Sequence, residues 1–141
     1  DISILRKGKS FLQNIRRGLF KEVQKSVISE QGDFYLSQRD EKGNGPLHLA
    51  ILSKSSKTLK FLLKYRSGVN HQNERGETPL HIAAFVNNHR AVALLLDKNA
   101  DLLIKDKFNL LPSERTNYLA FKLRSYLRKL QTVEKRKRSS K

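Results

Sequence analysis

Gly76-Glu77-Thr78-Pro79-Leu80-His81-Ile82-Ala83-Ala84 decides how this chain is read, because its central tripeptide occurs twice. Pro46-Leu47-His48 stands 33 positions before Pro79-Leu80-His81. The correspondence continues outward from there. Asp40 matches Asn73, Gly43 matches Gly76, Ala50 matches Ala83, and Leu62-Leu63 match Leu95-Leu96. Asp106 and Pro112 fall on the same grid one step later. A period of this length signals stacked units, each with an apolar face that only its neighbours can cover.

A 33-residue repeat with Gly-x-Thr-Pro-Leu-His followed by a Leu-Leu pair resembles the ankyrin repeat. The resemblance implies an all-α solenoid of helix-turn-helix units with turn fingers, about four units including two atypical caps. The expected division is an N-terminal capping repeat and extended loop over 1–39, repeats over 40–72 and 73–105, and a C-terminal capping repeat over 106–132. Residues 133–141 are expected to be a basic disordered tail, too charged to bury.

Local signals fit that division. Phe11, Leu12, Ile15, Leu19, Val23 and Val27 recur at threes and fours, interrupted by Gly18, which predicts a helical hairpin over 10–28. The loop after it is about three residues longer than the period allows. Pro46 and Pro79 suit first helical positions, where the missing N–H costs nothing. Thr78 is expected to cap its helix, whereas Gly45 stands at the matching place and has no hydroxyl. Asn99 is suited to the left-handed residue at a helix end. Leu119, Leu123, Tyr126, Leu127 and Leu130 predict an apolar stripe on a last helix.

The chain has no cysteine, which excludes a disulfide framework and a thiolate metal site. No apolar run is long enough to span a bilayer, and no signal-peptide pattern opens the chain. A cytoplasmic or nuclear setting is expected. The chain begins at Asp1 and contains no methionine, so it reads as a fragment of a longer regulatory or scaffold protein. The net charge is +16, half of it after residue 105, which draws polyanions.

No nucleophile–base set and no phosphate loop is visible, so no enzyme activity and no cofactor is expected. His48 and His81 are the obvious candidates for chemistry. The resemblance instead makes each a bridge from a helix start to the neighbouring loop. Rings held about 10 Å apart by stacked helices are also too far apart to share a metal. His71 and His89 read as incidental surface histidines.

The resemblance places recognition on a concave groove lined by turn tips and by the exposed face of each first helix. Carried onto this sequence, it offers Arg16, Arg17, Lys42, Asn44, Leu52, Arg75, Glu77, Phe85, Val86 and Phe108, with Leu110 and Tyr118 at the margin. Leu52, Phe85 and Val86 are apolar where polar residues are tolerated, which marks an interface. Arg16 and Arg17 suggest a partner segment of acidic character. The expected function is protein–protein recognition by a monomer. The alternative is non-specific nucleic-acid binding through the basic ends, with Lys135, Arg136, Lys137 and Arg138 as a nuclear-localisation or polyanion-binding run.

Overall fold

The computed structural model describes residues 2–65, 68–117 and 120–140. Tyr118 and Leu119 of the expectations above lie outside them. The described elements are α1 (Ile2–Arg16), α2 (Phe20–Ile28), α3 (Gly32–Leu36), α4 (Pro46–Leu52), α5 (Ser56–Leu62), α6 (Pro79–Phe85), α7 (His89–Asp97), a 3-10 turn (Pro112–Arg115) and α8 (Phe121–Ser139). Helices α1, α4 and α6 and the 3-10 turn pack in succession as one layer, while α2, α5 and α7 form a second. The all-α stack is as expected.

Each helix pair buries the face that its periodicity predicts. Phe11, Leu12 and Ile15 of α1 meet Val23 and Val27 of α2 in a core that continues through Leu47, Ala50, Ile51, Leu59 and Leu62 to Leu80, Ala83, Val92 and Leu95. Leu19, expected on the same stripe, stays exposed at the turn. Ala83 and Ala84 are fully buried. Phe61 adds an edge-on contact to Phe20, with ring centroids 5.6 Å apart, which ties the capping repeat to the first full one. The first helix begins eight residues earlier than the predicted hairpin.

Successive turns are tied together at two levels. Asp40 Oδ1 accepts from the N–H groups of Lys42 and Asn44. Asn73 Oδ1 accepts from Arg75 and Glu77, and Asp106 Oδ1 from Phe108 and Leu110. The same side-chain turn is thus built three times at the 33-residue interval. The turns then bond to each other, Glu74 N–H to the Lys42 carbonyl and Lys107 N–H to that of Arg75, both at 3.0 Å.

Gly76 is required by this arrangement. Its φ is +74°, and a Cβ there would lie 2.8 Å from the Lys107 nitrogen. In the third unit Asn109 takes the same left-handed place, with φ 64°. Gly76→Ala is expected to cost about 2 kcal/mol or more, since it combines positive φ with a backbone clash. Urea unfolding followed by circular dichroism checks this, and an unchanged midpoint would contradict it.

Three expectations need correction. The long loop after the hairpin is not irregular: α3 fills it, burying Leu36 and setting Tyr35 against Phe11 at 5.1 Å. The third unit keeps only one 3-10 turn in place of its first helix. Residues 133–139 are not a disordered tail but the last turns of α8. Lysine, arginine and glutamate are good helix formers, and the Leu123 and Leu127 anchors nucleate the helix they extend. Arg138 then folds back to Asp101 at 2.9 Å and Glu134 at 3.2 Å.

Candidate recognition surface

Two helix ends and one turn tip place four apolar side chains in the open. Leu52 closes α4 and Phe85 closes α6, at equivalent places one repeat apart, and Val86 follows Phe85. Phe108 sits at the tip of the third turn. Their exposures are 47%, 54%, 39% and 63%, in a chain whose other first-layer leucines and isoleucines between 47 and 82 are buried. Stacked helices set the equivalent Leu52 and Phe85 about 10 Å apart, and the Arg115 guanidinium lies over both Phe85 and Phe108, so the four side chains make a row rather than isolated spots.

Cations flank the row. Arg17, Lys42 and Arg75 are exposed at turn positions. Arg16 is partly committed, because it holds Asp40 at 2.9 Å. Beside it Lys9, Ser10, Gln13, Arg39 and Glu41 line a shallow depression. Arg39 also crowds the glycine at 45. A Cβ on Gly45 would lie 3.0 Å from the guanidinium of Arg39, which donates to the Leu36 and Gln38 carbonyls.

Two expected contact residues are structural instead. Asn44 is buried, bonded to Asp40 and accepting from the Asn73 side chain at 2.9 Å. Glu77 is buried as well, accepting from Asn73 and from Arg115 at 2.7 Å. Both follow the turn residue by four positions, which turns their side chains along the stack rather than out of it. Leu110 is half-buried and supplies the carbonyl that His81 reaches.

Arg115 is the residue that sequence reasoning missed. It pairs with Glu77 and faces Asp106 at 3.4 Å. Its guanidinium lies over the rings of Phe85, at 5.4 Å, and Phe108, at 5.9 Å. One cation therefore fixes two of the exposed aromatic side chains while neutralising two buried carboxylates. No motif announces it, since it follows Ser113-Glu114, which stand where the repeat has Leu-His.

The histidines bridge turns. Gly45 N–H donates to His48 Nδ1 at 3.2 Å, and His48 Nε2–H donates to the Glu77 carbonyl at 2.8 Å. Thr78 N–H and His81 repeat this, ending on the Leu110 carbonyl at 2.9 Å. This pattern holds each ring in its neutral form. Burial lowers the pKa of His48 to about 4 against the partial opposition of its bond to Glu77. Burial lowers His81 in the same direction. His71 is not incidental: it packs edge-on against His48 at 5.6 Å and bonds the Gly43 carbonyl. Among the described residues no group of His, Cys, Asp and Glu could hold a metal ion.

The family model for ankyrin repeats, in three copies, matches residues 15–106. The chain belongs to the ankyrin-repeat family. Ankyrin repeats are generally protein–protein interaction modules and are typically non-catalytic. Among curated proteins none matches this ankyrin-repeat chain significantly. Among the described residues no helix is long and apolar enough to cross a membrane.

Proposed function

We propose that this ankyrin-repeat protein holds a partner polypeptide along the row formed by Leu52, Phe85, Val86 and Phe108. The observation that carries the reading is the exposure of Leu52 and Phe85 at equivalent places on consecutive repeats, with Val86 beside Phe85 and Phe108 joined to it through Arg115. Apolar anchors ringed by charge give most of the affinity at such surfaces. Arg17 and the depression beside Arg16 and Arg39 favour an acidic stretch in the part of the partner that reaches the first repeat. Each exposed charge pair there contributes roughly 0–1 kcal/mol, so it orients the partner more than it holds it. The same proposal places the protein in the cytoplasm or nucleus, as a monomeric regulatory or scaffolding module.

The test is a pull-down from nuclease-treated lysate at moderate and high salt, with wild type and Leu52→Ala/Phe85→Ala. A partner held by wild type at high salt and weakened at least thirtyfold in the double variant, about 2 kcal/mol, is the expected result. Thermal unfolding of the variant should stay close to wild type, because both side chains are already exposed. Capture that vanishes at high salt, or that ignores the substitutions, would reject the reading.

A further inference from the structure

The basic run at 135–138 is one cluster in the sequence but not on the surface. On a helix, four consecutive residues point in directions spread over about 300°. Arg138 turns inward to Asp101 and Glu134. Lys135 and Lys137 lie on opposite flanks. Arg136 points away from the stack, and it shares that direction with residues far from it in sequence.

Steps of three and four residues lead back from Arg136 through Thr132, Lys129 and Ser125 to Lys122. These five positions fall within an arc of about 80°, opposite the buried Leu123 and Leu127. All five are exposed. Their stripe holds cations and small hydroxyl side chains, with no acid and no apolar residue. It runs over most of a helix of 19 residues, about 28 Å long. Arg128 and Lys135 flank it on one side and Lys137 on the other. Among the described residues none of these six cations is ion-paired; Glu134, the single acid of α8, is taken by Arg138.

Such a stripe fits a regular array of phosphates. Lysine and arginine neutralise backbone phosphates, and the small Ser125 and Thr132 leave room for the strand to approach between them. Phe121, Arg124, Ser125, Arg128, Lys129 and Thr132 line a shallow depression along the same flank. A membrane surface fits less well, because Leu123 and Leu127 of α8 are spent on the stack and the exposed Phe121 on one edge of the stripe is separated by its cations from Tyr126 and Val133 on the other. Unstacked single strands fit less well too, since no row of aromatic platforms accompanies the cations.

We propose that the outer stripe of α8, centred on Lys122, Lys129 and Arg136, binds the phosphate backbone of a nucleic-acid duplex without reading its sequence. The surface is separate from the apolar row, so either reading can fail without the other.

The test is fluorescence anisotropy of the whole chain with labelled DNA and RNA duplexes of two unrelated sequences, titrated over a range of salt. Three proteins are compared: wild type, Lys122→Gln/Lys129→Gln/Arg136→Gln, and a control with the same charge change in the first two units, Lys21→Gln/Lys60→Gln/Lys64→Gln. Each phosphate contact contributes about 0.9 to the slope of log K against log salt. The stripe variant should therefore lose about 2.7 from the slope and about 500-fold in affinity at 0.1 M salt, equally on both sequences. The control should lose far less, and Leu52→Ala/Phe85→Ala should bind duplex as wild type does. Equal losses in the stripe and control variants would reduce the effect to net charge and overturn the proposal. So would no duplex binding at 0.1 M salt. Stripe-dependent binding to phosphatidylserine vesicles in preference to either duplex would overturn it in favour of a lipid surface.

Discussion

Replacing Arg115 by alanine is expected to destabilise the protein by about 3–5 kcal/mol, the range for removing one partner of a buried ion pair. Its guanidinium is the counter-charge for Glu77 and Asp106, whose side chains are 6% and 0% exposed. Without it two carboxylates stay desolvated at neutral pH. Asn73 still donates to Glu77, and backbone N–H groups still reach Asp106 Oδ1, but neither supplies charge. Asp106 Oδ2 has no hydrogen bond at all, only the ion pair. Arg115→Lys should recover part of the loss, since an ammonium cannot serve two carboxylates and two rings at once. Urea unfolding by circular dichroism decides the matter. A midpoint within experimental scatter of wild type would show that the pair is not a support. The exposed Phe85 and Phe108 should also lose their fixed positions, so partner binding would fall even where the variant remains folded.

Acid should weaken the stack well above the range where carboxylates titrate. His48 is buried in its neutral form, with its pKa lowered from 6.5 to about 4. Its depressed folded value means that the unfolded chain takes up the proton first as pH falls. The stabilisation is therefore complete above about pH 6.5, declines between there and about pH 4, and is flat below. The span corresponds to on the order of 3 kcal/mol. His81 and His71 are shifted in the same direction by burial and add to the effect. Urea midpoints at a series of pH values measure the slope, and NMR titration of the ring protons assigns it. A His48 that protonates near pH 6.5 in the folded protein would contradict this account.

Much of the fold was legible because its signals are local and repeated. Thr78-Pro79-Leu80-His81 specifies a cap, a helix start and a bridge within four residues, and Asn99 marks a helix end, with φ 61°. The surface row at Leu52 and Phe85 was readable for the same reason. What escaped depended on partners distant in sequence. Asn44 and Glu77 look like turn-tip residues until Asn73 and Arg115 are seen to claim them. Arg115 itself reaches Glu77 across 38 positions, outside any motif. The end of α8 reads as a charged tail because composition cannot reveal that Asp101 waits for Arg138. Lys135 to Arg138 are neighbours in sequence but point to different sides of α8, since adjacency along a chain is not adjacency around a helix.

The bonds that join one unit to the next reach about one repeat along the chain. His48 to Glu77 and His81 to Leu110 each span 29 positions, Gln72 to Lys105 spans 33, and Arg115 to Glu77 spans 38. Each of these interactions asks only what lies next door. A duplicated copy of residues 40–72 inserted at its own boundary would find a compatible neighbour on both sides, whereas an insertion of half that length would sever every bridge it crossed. The grammar of this molecule therefore permits growth in whole words only, and each added word would lengthen the apolar row by one more anchor.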